Sequence, residues 1–245
     1  MKGFLTVALL AVSLPALAQA QTAPTPAATM SQPAKPKVMQ YLDPAMFEPL
    51  LILPAPVAKD TPANARELAT LHQLIASATP ERLKQAHDDA INEDPAIFNA
   101  AVGTDLRKLP ATWELLEIVH QEANIAANVS KNYFKRMRPF SADPSLPFCE
   151  GKADPAKPVY RSYPSGHSTL GYSVGVALAR LLPAKAATIM DRAQDYAMSR
   201  EYCGAHYASD TQASEVIGTL AATLLLNDPR LAATVTAAKA ELAKI

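Results

Sequence analysis

From Pro62 onward, apolar residues recur at the three- and four-residue intervals of an α-helix, and strict alternation is absent. Thr61-Pro62 followed by ANARELATLHQLIASA reads as an N-cap with proline at the first helical position. Thr79-Pro80 repeats the signal, and there Leu83, Ala86, Ala90 and Ile91 are predicted to share one face. Pro110 opens a longer helix. Its stripe is Leu115, Ile118, Val119, Glu122, Ile125, Ala126 and Val129, with one polar member. Asp195, Tyr196 and Met198 lie in a further run starting near Ala184, and Asp228-Pro229 begins a last, alanine-rich helix. With no Asn-Gly hairpin signal, no internal repeat and only 8 glycines, the prediction is an all-α, single-domain bundle of some seven or more helices. The exception is Phe140 to Pro164, rich in proline and without a helical stripe. A loop this long inside a helical domain is usually functional.

The N-terminus follows a different pattern. MKGFLTVALLAVSLPALAQA, residues 1–20, has a basic start, a short apolar core and small residues at its end, which makes it a signal peptide. Residues 21–40 are rich in Pro, Ala and Thr, bury little and read as a mobile tether, so the domain is expected at 41–245. No later apolar run is long enough to cross a bilayer; Val216–Leu226 is too short. The expected mature protein is soluble and periplasmic. Its 23 basic and 23 acidic residues form no basic stripe, which argues against a nucleic-acid partner. Cys149 and Cys203, in an exported chain, are a plausible disulfide, and two cysteines alone cannot build a structural zinc site.

Three clusters flank the proline-rich loop. In KNYFKRMRP, Lys131 and Arg138 are seven apart, close to two helical turns, and would project from one face, with Pro139 ending the helix. In YPSGHS, Ser165 is placed to cap the helix that follows, and its unpaired N–H groups form an anion site. In SREYCGAHYASD, His206 and Asp210 at i,i+4 can form an oriented pair, and Arg200 offers a planar fork for oxyanions. Each cluster alone also fits an ordinary solvated or capped helix. His72, His87 and His120 lie on helical segments outside the three clusters and read as structural or surface residues.

Together, Lys131 with Arg138-Pro139, Pro164 to His167, and Ser199-Arg200 with His206 and Asp210 match a known signature in order and spacing. The chain resembles the type 2 phosphatidic acid phosphatase superfamily, which also holds vanadium haloperoxidases, and within it the bacterial class A non-specific acid phosphatases. Arg161 stands where a glycine is expected, and Ser168 where threonine is usual.

The resemblance implies a metal-independent, cofactor-free acid phosphatase acting on small phosphomonoesters such as nucleotides, sugar phosphates and aryl phosphates. Lys131, Arg138 and Arg200 would neutralise the phosphoryl oxygens, with the Ser165 hydroxyl and Gly166 N–H adding hydrogen bonds. His206 would attack phosphorus, Asp210 would fix its tautomer, and His167, starting as imidazolium, would protonate the leaving alcohol. A homo-oligomer is also implied. The rival readings are a vanadate-dependent haloperoxidase, a non-catalytic phosphate-binding protein and a lipid phosphatase. The short chain, the His206–Asp210 pair and the lack of an amphipathic membrane segment weigh against these in turn.

Overall fold

A threonine cap followed by proline starts two of the longer helices. The structure, a computed structural model, describes residue 1, residues 38–151 and residues 154–245. In helix α1 (Pro62–Ala76) the Thr61 hydroxyl accepts from the Asn64 N–H at 3.2 Å; in α2 (Pro80–Ala90) Thr79 does the same for Arg82. Each contact satisfies an N–H that a helix start leaves without an intrahelical partner. Helix α3 (Pro110–Phe134) has Pro110 in its first turn, and α4 (Gly166–Leu181) starts on Ser165. Helix α5 (Ala186–Tyr202) follows a 3₁₀ turn at Pro183–Lys185, and α6 (Ala208–Leu226) comes next. Helix α7 (Ala232–Leu242) completes seven longer helices among the described residues, which contain no strand. The all-α prediction holds.

The predicted signal peptide lies outside the described residues except for Met1, as does most of the predicted tether. The tether's last residue, Gln40, is anchored together with the start of the domain. The N–H groups of Gln40, Tyr41 and Leu42 all donate to the Glu122 carboxylate, at 2.8 to 3.1 Å. This explains why the single polar member of the α3 stripe is buried.

Helix α4 packs against α3, α5 and α6 and is buried along most of its length. Its Leu170, Val174 and Leu178 meet Ile189 and Tyr196 of α5 and Ile217 and Leu225 of α6 in one core. Each such side chain stabilises the fold by about 1.5–3 kcal/mol. At Gly218 of α6 a Cβ would stand 2.9 Å from the Ser173 backbone nitrogen and 3.1 Å from the Thr169 carbonyl oxygen, so only glycine lets α6 lie against α4. The α2 face is narrower than predicted. Ala86 and Ala90 are buried, but Leu83 and Ile91 are exposed, because α5 covers only the alanine side.

Cys149 and Cys203 form a disulfide with a Cα–Cα distance of 5.2 Å. It ties the proline-rich loop to the turn between α5 and α6, which is the end of the bundle where α3 stops and α4 starts. A bridge of this kind typically adds about 2–4 kcal/mol.

Candidate active site

The first turn of α4 is built as the capped helix start that the sequence predicts. The Ser165 hydroxyl oxygen accepts from the Ser168 N–H at 3.2 Å, and the Ser165 N–H donates to Ser214 Oγ of α6 at 2.9 Å. A Cβ on Gly166 would stand 2.9 Å from Lys131 Nζ, so glycine lets the ammonium reach this turn. A cation at the positive end of a helix is unfavourable unless an anion joins them.

Three cations converge here. Lys131 comes from the last turn of α3 and is buried. Arg138 does not reach it along a helix face. Helix α3 ends at Phe134, Lys135 turns left-handed (φ 47°), and Arg138 is extended, its N–H donating to the Val159 carbonyl at 2.9 Å. The seven-residue spacing therefore brings the two together through a turn and a loop contact, not through helical periodicity. Arg200, in the last turn of α5, is wholly buried. Burial, then the nearby Arg138, pushes the Lys131 pKa down to about 7; burial, then Arg200, pushes Arg138 down to about 10. Arg200 Nε and Nη1 and Arg138 Nε are buried without a hydrogen-bond partner in the protein. Buried donors of this kind normally have an acceptor. Arg200 Nη2 donates to Glu150, which follows the disulfide cysteine.

His206 is fully buried in the turn before α6, and its Nδ1 lies 2.7 Å from the Ser162 carbonyl oxygen. A carbonyl can only accept, so Nδ1 carries the proton and Nε2 carries the lone pair. Nε2 has no hydrogen-bond partner in the protein. Burial, then Arg138, Arg200 and Lys131, holds the ring well below the usual histidine range, so it is neutral.

Asp210 is not the nearest orienter of His206. Its Oδ2 lies 3.5 Å from Nδ1, beyond the Ser162 carbonyl. Instead Oδ2 accepts from Ser162 Oγ at 2.5 Å and the Tyr207 N–H at 2.9 Å, while Oδ1 accepts from Arg136 Nη1 at 2.6 Å. Burial pushes its pKa up, against Arg136 and these hydrogen bonds. With three donors on two oxygens, the group is the carboxylate.

His167 lies in the first turn of α4, stacked on Tyr196 with ring centroids 5.9 Å apart. Its Nε2 donates to the Ala90 carbonyl at 3.1 Å, and Nδ1 is 3.6 Å from Glu93 Oε1. Burial, then Arg200, pushes its pKa down to about 2. The ring is therefore neutral, not the imidazolium expected from the sequence.

Several residues that pack around the site carry no signal in the sequence. Arg136 is buried between Asp210 and Glu67 of α1, and its backbone carbonyl accepts from the Ser162 N–H at 3.0 Å. Ser209 joins the same cluster through Arg136 and Glu67. Glu150 and Glu93 add carboxylates at the rim. Arg136 is visible inside KNYFKRMRP as a second arginine, but nothing local distinguishes it from Lys135.

The model of the PAP2 superfamily matches residues 115–232, which span the cations and both histidines. A non-specific acid phosphatase of Salmonella typhimurium is 30% identical over 172 residues, covering 68% of each chain. The chain belongs to the PAP2 superfamily. Within that superfamily it is an acid phosphatase, a hydrolase. An acid phosphatase of Zymomonas mobilis subsp. mobilis is 32% identical over 175 residues, covering 69% of this chain and 66% of its own length. A solved member, a transmembrane PAP2-type phosphatidylglycerolphosphate phosphatase from Bacillus subtilis, aligns with a TM-score of 0.51 at 20% identity. That alignment covers 68% of this chain and 86% of the other, and establishes a shared fold. Among the described residues no helix is long and apolar enough to cross a membrane.

Proposed function

We propose that the protein is a metal-independent periplasmic acid phosphatase that hydrolyses a broad range of phosphomonoesters through a phosphohistidine on His206. One observation carries this reading. His206 Nε2 is a buried lone pair without a partner, with Nδ1 tied to Ser162, in a pocket whose Arg138 and Arg200 also hold unpartnered N–H groups.

Lys131, Arg138 and Arg200 offset the charge of the phosphoryl oxygens, and the Ser165 hydroxyl and Gly166 N–H add hydrogen bonds. Three cations already supply the charge that a metal would bring. Nε2 attacks phosphorus in line; the N–P bond forms as the bond to the leaving oxygen breaks. The charge that develops on the ring is shared by the Ser162 carbonyl and the Asp210 carboxylate behind it.

His167 supplies the proton for the leaving oxygen, yet its ring is neutral. The proton therefore enters with the substrate. A phosphomonoester monoanion, with a second pKa of about 6, gives its proton to His167 on binding and becomes the dianion beside an imidazolium. This favours activity on the acid side of neutrality. Water then attacks phosphorus, His167 takes the water proton, and the N–P bond breaks to release phosphate. The pocket groups address the phosphoryl group, which supports a broad range of alcohols. The signal-like N-terminus supports export.

The test compares two variants. His206→Ala is expected to abolish turnover of every phosphomonoester. His167→Ala is expected to keep activity on p-nitrophenyl phosphate, whose leaving group needs little protonation, and to lose about 10²–10⁴-fold on a nucleoside monophosphate. Acid-free quenching of single turnovers should trap phosphate on His206, and dialysis against EDTA should leave activity intact. Phosphate trapped on His167, or activity restored only by zinc or magnesium, would overturn the reading.

A further inference from the structure

Arg161 stands four residues before Ser165, at the position where the resemblance leads one to expect glycine. Its side chain is exposed but held in place. Nη1 donates to Asn132 Oδ1 at 3.0 Å, and Nη2 to Asn128 Oδ1 at 2.6 Å. Both amides belong to the last two turns of α3, which also carry Lys131. Asn128 Nδ2 in turn donates to Asn124 Oδ1 at 3.5 Å. Asn124 Oδ1 is 3.8 Å from the point where a Cβ on Gly166 would stand, the point that Lys131 Nζ approaches to 2.9 Å. A row of three asparagines thus leads along α3 from the phosphate-binding turn to the guanidinium of Arg161.

Amide oxygens orient a guanidinium without neutralising it, unlike the carboxylates that hold Arg136. Arg161 lies near the pocket: its charge is a minor contribution, after burial and a nearer arginine, to the lowered pKa of Lys131 and of Arg138. The other rim charges are of opposite sign: Glu93 beside His167 and Glu150 on Arg200. A negative group on the leaving alcohol is therefore repelled on those sides and attracted toward Arg161.

We propose that Arg161 determines specificity by binding a second anionic group on the substrate, so that phosphomonoesters carrying a second phosphate are preferred. Asn124 and Asn128 are one helical turn apart, roughly 6 Å along the axis, so the second charge is separated from the reacting phosphorus by a spacer of several atoms. Nucleoside 3′,5′-bisphosphates and hexose bisphosphates have this form. The inference rests on the phosphatase reading given above.

The test measures kcat/KM for 1,6-hexanediol bisphosphate and for hexyl phosphate at low ionic strength. The wild-type enzyme should favour the bisphosphate by about fivefold after allowing for its two equivalent ends. Added salt should erode that preference. Arg161→Gln should remove it through KM, leaving hexyl phosphate and p-nitrophenyl phosphate within about twofold of wild type, and Arg161→Lys should restore part of it. No preference in wild type, a preference that survives in Arg161→Gln, or an equal loss on all three esters would each overturn the proposal. Failure of the wild-type enzyme on every ester would instead overturn the phosphatase reading, and the inference with it.

Discussion

Arg136 and Arg138 are two residues apart in one loop, and their surroundings are opposite. Arg136 is buried against two carboxylates, Asp210 and Glu67, and stacks over the Tyr207 ring at 3.9 Å. Burial opposes its charge, but the two carboxylates outweigh that and raise its pKa. Arg138 has no such neutralising pair; burial and Arg200 lower its pKa, and its Nε is without a partner. Neutralised charge marks the scaffold behind His206, and unneutralised charge marks the pocket in front of it. A buried cation is costly unless paired, and among the described residues the ion pair these three cations make is that of Arg200 with Glu150, so a fold that keeps them together has a use for an anion there.

The largest effect is expected for Arg136→Gln. It leaves Asp210 buried and uncompensated, so urea unfolding should show a loss of about 3–5 kcal/mol. A loss below about 1 kcal/mol would mean that the cluster is not the scaffold described here.

Arg200→Gln should do the reverse. Removing one donor to the developing charge should lower kcat/KM by about 10²–10³-fold, while stability stays level or rises because a poorly paired buried charge is gone. Steady-state kinetics and thermal melts on the same sample separate the two effects. A large stability loss with unchanged kinetics would reverse the roles assigned to the two arginines.

The pocket also sets a pH dependence of stability. His206 and His167 are held neutral, well below their unfolded pKa of about 6.5. Above that pH both states are neutral at these rings and their contribution is complete. As pH falls through 6.5 the unfolded chain takes up two protons that the fold refuses. Stability should then drop by up to about 2.7 kcal/mol per pH unit. Inorganic phosphate, by neutralising the pocket, should blunt the drop. Unfolding curves from pH 7.5 to 5 check this, and a flat profile across that range counts against neutral histidines.

The smallest effect concerns Glu150, whose carboxylate sits on Arg200 where a phosphoryl oxygen is expected. Glu150→Gln should lower the inhibition constant of inorganic phosphate by about threefold. An unchanged constant would show that this carboxylate does not compete with phosphate.

Much of the fold and the pocket is legible in the amino-acid sequence. The Thr61, Thr79 and Ser165 caps are local hydrogen bonds between neighbours in the chain, and each forms as predicted. The disulfide also forms as expected. The route from Lys131 to Arg138 is not legible, because a left-handed residue at Lys135 ends the helix one turn early and no residue type there demands it. The partner of His206 Nδ1 is hidden for a different reason. It is a backbone carbonyl, that of Ser162, and a carbonyl looks the same at every position in a sequence.

The longer helices, their caps, the order of the three motifs and the residue types of the pocket are written in the sequence, since these depend on near neighbours and on side-chain identity. The tertiary structure alone decided which of two nearby arginines is neutralised. It also decided which nitrogen of His206 carries the proton, and that His167 is neutral. Those properties depend on burial and on the distance between charges far apart in the chain. Coulomb energy and desolvation are set by that geometry, and spacing along the sequence does not encode it.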